Sequence, residues 1–514
     1  MGSVVRGLCF LILLAESRVL GARILAIYPY KGASHFYVFQ PLMEGLAKRG
    51  HDVTVVSHHP RKEPLPNYRD ISVADQKELT TGYVEATPIP KNSLFYENVE
   101  GLHQLATEYE RILANPDVLA LANSSFDVIF LEMFNSDLFY GLAYRIGAPV
   151  IGFSSCSLMP WTADSMAVPN QPAYIPNNLG VHDLKMDWWD RVINTLEIWA
   201  SRVYYRLVIE TEAQKIAEKY LGPLPQLSEI AANTSLLFVN THYSLLGQRP
   251  YPPSVIEVGG ISVTPAKPLP KDLDTKLNES SGAIYFSLGS VMVASTISKE
   301  MKNMFQSVFT NIGKTVLWKF EEKLEPNNPN IVTRPWFPQR DLLAHPKIEV
   351  FISHCGLLGI SEAVVSGVPI LCLPVSSDQP HNALFVEEIG IGMHLDISTL
   401  TPSQLESSIF QILSNKRYRE RASEVSAAFR DRPLPPLETG IFWTEYLIRH
   451  GRNVWETSYK TMPLWQREGL DVFFPLVGTI LMVLWGLSRI FGLWRCRSNR
   501  QVKVKSKNHK KKQN

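Results

Sequence analysis

Residue types able to do acid–base work gather at three places in the chain. His35 follows the first apolar run, and Glu132 and Asp137 follow a second such run at residues 126–131. An imidazole oriented by a carboxylate takes the proton from a hydroxyl as that oxygen attacks, because the acid fixes the ring and stabilises its developing charge. Glu132 occupies the place at the strand end and Asp137 comes five residues later, so the spacing leaves the partner of His35 open. The third place is Phe351-Ile-Ser-His-Cys-Gly-Leu-Leu-Gly-Ile-Ser-Glu362, which continues through Pro369-Ile-Leu-Cys-Leu-Pro374 to Asp378-Gln379. It reads as a strand ending in His354, a glycine turn at Gly356 and Gly359, and a helix with Glu362 in its first turn. Free N–H groups at such a helix start, approached closely past glycines, suit a diphosphate. A carboxylate nearby can accept from ribose hydroxyls, and Asp378 with Gln379 can accept from those of a sugar.

Alternating strands and helices must hold these groups. Residues 23–28 predict a buried strand, followed by a helix to residue 49 and a second strand at 53–57, which is a βαβ unit. Further strands are expected at 126–131 and 150–153, with helices such as 192–220 between the halves. A proline-rich stretch at 265–270 precedes a second series of strands at 283–288, 315–319, 350–353 and 370–373, and a helix near 440–450 follows another proline break at 433–436. The predicted class is α/β: two Rossmann-like domains facing a cleft, residues 23–265 and 283–457, joined by a linker at 266–282. Ligands in such folds lie at the carboxyl ends of the strands.

The chain of 514 residues is too long for one compact core, and its 45% hydrophobic and 19% charged composition is globular. The formal charge of +2 hides an asymmetry: residues 495–514 carry nine Lys or Arg and no acid, leaving the rest net acidic. A nucleic-acid partner is thereby excluded for the body. Residues 1–22 have the layout of a secretory signal peptide, with Arg6, an apolar run and small residues at Gly21 and Ala22. Residues 472–487 run without a charge, and adding 488–494, where Arg489 lies close enough to the basic end to snorkel toward headgroups, makes 23 residues, about 34 Å of helix at ~1.5 Å per residue, ahead of the basic tail. The reading is a single-pass protein with a juxtamembrane segment at 458–471, lumenal domains and a cytosolic tail. Asn123, Asn233 and Asn278 open glycosylation sequons. Of five cysteines, Cys156, Cys355 and Cys372 fall in the lumenal part; three form no disulfide framework, and their spacing suits no zinc site.

The order of residues from Phe351 through His354, Gly356, Glu362, Pro369 and Pro374 to Asp378-Gln379 resembles the UDP-glycosyltransferase family, and most closely its membrane-bound animal branch. Phe286-Ser-Leu-Gly-Ser290, Trp336-Phe-Pro-Gln339-Arg-Asp-Leu-Leu and Ser34-His35 extend the likeness over nearly the whole chain. The resemblance implies the two-domain GT-B fold and inverting transfer of a hexose from a UDP-sugar. It implies that Trp336 stacks on uracil, Gln339 bonds near the base and ribose, Glu362 holds the ribose, and Ser290, His354 and the Gly359 backbone meet the diphosphate. Asp378 and Gln379 then read the sugar, and His35 is the base. Leu358 stands where Asn is frequent in vertebrate members, Gly359 where Ser is frequent in insect ones, and Cys355 replaces a frequent Gly. The Leu357-Leu358 pair leans toward an insect-like member, and similarity to insect sequences favours Asp137 over Glu132 as the partner of His35.

The expected activity is transfer of glucose from UDP-glucose to a small lipophilic acceptor in detoxification or metabolite conjugation, with glucuronate or galactose as the alternative sugars. A protein that binds donor or lipophile without turnover is the rival from another class, against which His35 and its acids argue. No metal is expected: Asp272-Leu-Asp274 has the look of a metal motif but falls in the linker, and helix N–H groups can receive the departing UDP. The partners are the acceptor, the bilayer through residues 472–494 and, as an open alternative, a second copy of the chain. Lys511 and Lys512 resemble a dilysine signal and predict residence in the endoplasmic reticulum membrane. Phe36, Tyr37, Trp161 and Trp188 are candidates for the wall of the acceptor pocket.

Overall fold

The computed structural model describes residues 21–74, 84–85, 94–290, 292–325, 328–455 and 458–510. Nearly all of the expected signal peptide, and Lys511 with Lys512, lie outside the described residues. The chain divides into a body ending at Glu456 and a C-terminal unit beginning at Thr457.

Two parallel sheets organise the body. The first contains β1 (Arg23–Ile27), β2 (Asp52–Ser57), β3 (Tyr68–Ser72), β4 (Val128–Glu132), β5 (Val150–Ser154), β6 (Leu236–Val239) and β7 (Val255–Glu257), in the order β3-β2-β1-β4-β5-β6-β7. The second contains β8 (Ala283–Ser287), β9 (Thr315–Lys319), β10 (Ile331–Arg334), β11 (Ile348–Ser353), β12 (Ile370–Cys372) and β13 (Gly392–His394), in the order β10-β9-β8-β11-β12-β13. The central strands are buried along their whole length, as β4, β5 and β8 show, because helices cover both faces; their sequences are therefore continuous apolar runs and do not alternate. Strand order reverses between β1 and β4 in one sheet and between β8 and β11 in the other. Those reversals open the crevices where ligands of doubly wound sheets bind.

The helices that matter for the site are α1 (Ala33–Lys48), α2 (Leu94–Leu113), α3 (Trp188–Tyr204), α4 (Leu357–Val365), α5 (Gln379–Glu388) and α6 (Pro436–His450). α3 runs through a π-turn at Tyr205–Ile209 into a further helix, Glu210–Leu221. α6, which follows the second sheet in sequence, packs on α1: Ile441 and Leu447 join Phe39, Leu42 and Leu46 in one core cluster. Glycines permit the approach, since a Cβ on Gly45 would come within 3.0 Å of Ile441 and one on Gly440 within 3.1 Å of Leu42. Asp272 and Asp274 fall in a short helix, Lys271–Asn278, and are engaged separately: Asp272 with Arg334, Asp274 with Asn278 at 3.1 Å.

Two expectations change. Cys355 and Cys372 are disulfide-bonded, with Cα atoms 5.4 Å apart, leaving Cys156 free and buried. Parallel pairing of β11 with β12 brings the two cysteines together, a proximity that a count of three could not reveal. Glu362 lies in the second turn of α4, since Gly356 is the N-cap and Leu357 the first helical residue.

The C-terminal unit is dominated by α7 (Leu470–Lys510). Its residues Leu470–Gly492 have a mean hydropathy of 2.0 and are not buried among the described residues. By length and composition this stretch fits a single-pass membrane anchor.

Candidate active site

The carboxyl edges of β1, β4 and β5 converge on His35. Its Nδ1 lies 2.7 Å from Glu132 Oε1 and 2.8 Å from Ser155 Oγ. A proton on Nδ1 is thus held by the carboxylate, which leaves Nε2 unprotonated as the atom able to accept a proton. Glu132 ends β4, is 1% exposed, and its Oε2 has no hydrogen-bond partner among the described residues. Tyr30 and Phe134 flank the imidazole, with ring centroids at 4.5 and 4.8 Å. Asp137, the acid favoured from sequence, is not on the ring. It opens the turn Asp137–Phe139, which leads the chain away from the β4 edge toward Tyr205, Glu210 and Arg206. Burial, reinforced by Glu210, pushes its pKa up to about 7. The order of preference reverses because Glu132 ends the strand and Asp137 lies past the turn.

The second sheet supplies the facing rim through its backbone. β11 ends at Ser353, Cys355 follows with φ of 62°, in the region that favours glycine, and Gly356 caps α4. The Cys355 N–H donates to Ser353 Oγ and its carbonyl accepts from Asn382. Gly289, with φ of 87°, and Gly356 lie against the His354 ring: a Cβ on either would come within 2.6 Å of it. Burial, helped by the charge of Lys319, lowers the His354 pKa to about 4 and keeps the ring neutral. Lys319 is 4% exposed, ends β9 and pairs with Glu321 at 3.0 Å.

Farther along the same rim Gln339 Nε2 donates to Glu362 Oε2 at 2.5 Å, while Tyr285 donates to Gln339 Oε1 at 3.1 Å. Burial raises the Glu362 pKa to about 7, against the lowering effects of Gln339 and Arg340. Trp336 is half exposed above these groups. Gln379 Oε1 accepts from the N–H groups of Val375 and Ser376, which frees its amide nitrogen for another partner. Asp378 accepts from Asn382 at 2.9 Å, and burial raises its pKa.

One cleft of about 510 Å³ is lined by His35 and Ser155 on one rim and by Ser290, Lys319, Trp336, Gln339, His354, Gly356, Gly359, Glu362, Asp378 and Gln379 on the other. Every site residue named from sequence reaches it except Asp137 and Glu132, and Glu132 stands directly behind His35. Lys319 and Ser155 were not foreseen. A lysine closing an apolar strand at the sheet's carboxyl edge was the available signal for the first, and nothing local marked the second. Leu358 also lines the cleft and packs against the core cluster of the first sheet. Tyr37 lines the cleft as expected, whereas Phe36 is core, Trp161 stacks on Tyr205 behind the wall, and Trp188 is on the surface.

Residues 23–508 match the family described as UDP-glucoronosyl and UDP-glucosyl transferase. UDP-glucosyltransferase 2 of Dactylopius coccus is 36% identical over 488 residues, 91% of this chain and 92% of its own length. UDP-glucuronosyltransferase 1A8 of Rattus norvegicus is 29% identical, covering 93% of this chain and 92% of its own. Among solved structures CalG4, the calicheamicin glycosyltransferase, superposes over 84% of this chain and 99% of its own with a TM-score of 0.55 at 17% identity, a likeness of fold alone. Two parallel α/β sheets that share one cleft are the GT-B arrangement seen in that neighbour. The chain belongs to the UDP-glucuronosyl and UDP-glucosyl transferase family and is a UDP-glycosyltransferase.

Proposed function

We propose that this enzyme transfers glucose, with inversion, from UDP-glucose to a hydroxyl of a small lipophilic acceptor. The observation that carries the reading is His35 held on Glu132 across one cleft from the glycine turn at α4. His35 Nε2 takes the proton as the acceptor oxygen attacks the anomeric carbon, and Glu132 stabilises the imidazolium that forms. Ser155 shares the Nδ1 proton. UDP leaves from the opposite face, so an α-linked donor gives a β-glycoside. The N–H groups at the start of α4 and the Lys319 ammonium receive the charge that develops on the diphosphate.

Trp336 stacks on uracil in this reading, Gln339 and Glu362 hold the base and ribose, Ser290, His354 and the Gly359 backbone meet the diphosphate, and Asp378 and Gln379 bond the sugar. Glucuronate and galactose are the competing sugars. Tyr30, Tyr37, Phe134, Leu102 and Met159 make the acceptor end apolar, which supports a lipophilic acceptor. An endoplasmic-reticulum location with a lumenal body belongs to the same proposal; the three sequon asparagines are all exposed. The test incubates the full chain with several UDP-sugars and a panel of hydroxylated lipophiles, reading glycoside by mass spectrometry. Glucoside formation that requires donor and acceptor together is expected, and UDP release indifferent to any acceptor would overturn the transfer.

A further inference from the structure

Two amides interrupt the apolar acceptor end of the cleft. Asn98 on α2 and Asn178 in the turn ahead of α3 line it together with Leu102, Phe134, Met159 and Leu179. Asn178 is 4% exposed and Asn98 is partly buried. Asn98 Nδ2 donates to the Leu179 carbonyl at 2.9 Å, and Asn178 Nδ2 donates to the Ser157 carbonyl at 3.1 Å and lies 3.5 Å from Met159 Sδ. The first bond ends on the residue next to Asn178, so the two amides are neighbours. A carbonyl can only accept, which obliges each amide to turn its nitrogen to the backbone and leaves its oxygen uncommitted. Among the described residues nothing donates to either Oδ1.

The turn that carries Asn178 is held from behind. Asn194 on α3, fully buried, accepts from the Asn177 N–H at 2.7 Å and donates to the carbonyls of Pro172 at 2.8 Å and Ile175 at 2.9 Å. Asn177 Oδ1 accepts from the Leu179 N–H at 3.2 Å. A polar group fixed in this way costs little to order on binding. An oxygen that can only accept, set among apolar side chains, favours a ligand that brings an O–H or N–H to it. An apolar ligand end laid over the same oxygen strips its water and returns nothing. His35 lines the same cleft and engages the reacting hydroxyl, so a donor at the asparagines is a second group of the ligand.

We propose that Asn98 and Asn178 form a subsite that accepts a hydrogen bond from a second O–H or N–H group of the acceptor, so that the preferred substrates are bifunctional: an apolar body with one hydroxyl at His35 and another donor at the asparagines. The transfer step rests on the function proposed above; binding at the asparagines does not. The test gives the full chain two series of phenols, built on naphthalene and on biphenyl, whose position farthest from the reacting hydroxyl carries hydroxyl, hydrogen or methoxy. Affinity is read by calorimetry in the presence of UDP, and kcat/KM by glycoside formation from UDP-sugars. In at least one series the diol is expected to exceed the monophenol by about 10-fold in both readouts, beyond the factor of two owed to its equivalent hydroxyls. The methoxy compound should fall below the monophenol, because its oxygen meets another acceptor. Equal affinities for all three substituents in both series overturn the proposal. Asn98→Leu and Asn178→Leu combined should bring the diol's advantage down to that factor of two, with UDP affinity reporting that the variant is folded. An advantage that survives in the folded double variant overturns the proposal as well, and the ligand series on the natural chain decides by itself where the variant does not fold. Diol preference in affinity with no glycoside from any compound leaves the subsite standing and sinks the transfer reading; glycosides formed without preference do the opposite.

Discussion

The two rims of the cleft solve the same problem with different parts of the polypeptide. On the rim of the first sheet the group proposed as the base is a side chain, His35, kept in place by two other side chains from neighbouring strand ends, Glu132 and Ser155. On the rim of the second sheet the backbone shapes the surface proposed to meet the donor: the left-handed Gly289 and Cys355, the Gly356 cap and the N-terminus of α4. A rim made of side chains can change its chemistry by substitution with the fold intact. A rim made of backbone constrains which residues fit, and so leaves a long readable pattern in the sequence. The difference predicts that chemistry and donor affinity separate by domain.

The largest effect should come from the first rim. His35→Ala is expected to cut turnover by about 10²- to 10⁴-fold while UDP affinity, read by calorimetry, stays at the wild-type value. Glu132→Gln should act in the same direction, and the double variant should be far from additive because the two residues work as a unit. A loss of UDP affinity matching the loss of turnover would break the division of labour between rims. On the second rim, Trp336→Ala should weaken UDP binding by about 1–3 kcal/mol, the scale of base stacking on an aromatic ring. Unchanged affinity in a folded variant would remove Trp336 from the donor site.

The smallest effect on activity belongs to Asp137→Asn, whose turnover should stay near wild type. Its signature is in stability. The pKa of Asp137 is raised from 3.8 to about 7 by burial, so the folded state holds a proton that the unfolded state has released between those values. Stability from this group is therefore full below about pH 4 and is lost as pH rises through about 7. The melting temperature of Asp137→Asn relative to wild type should climb from pH 5 to pH 8. A collapse of turnover in this variant would restore Asp137 as the partner of His35.

Legibility followed the same division. The buried parallel strands announced themselves as apolar runs, and the stretch from Phe351 to Gln379 could be read with its turn and helix because backbone geometry restricts composition there. The acid behind His35 could not be chosen from spacing: a single turn after β4 decides which of two nearby carboxylates meets the imidazole, and turns of this kind carry little sequence signal. The Cys355–Cys372 bond depends on strand order, a long-range property that no local window contains. Trp188 belonged to no core, since a helix apolar on both sides gives no local hint of which side is covered. The course of α6 was hidden too, because its apolar face fits a neighbour in either sheet equally well until the glycines of α1 meet it.

That return of α6 to α1 has a mechanical meaning. The polypeptide passes between the two halves of the body twice, once after β7 and once before Pro436, where Arg432-Pro-Leu-Pro-Pro436 is stiffened by three prolines. A third joint is the short parallel pairing of Val84–Glu85 with Met292–Val293. Fastenings at three separate places bound the cleft: to part its two rims, the protein has to break the ladder at Met292, unseat Gly440 from Leu42 or stretch the proline strap.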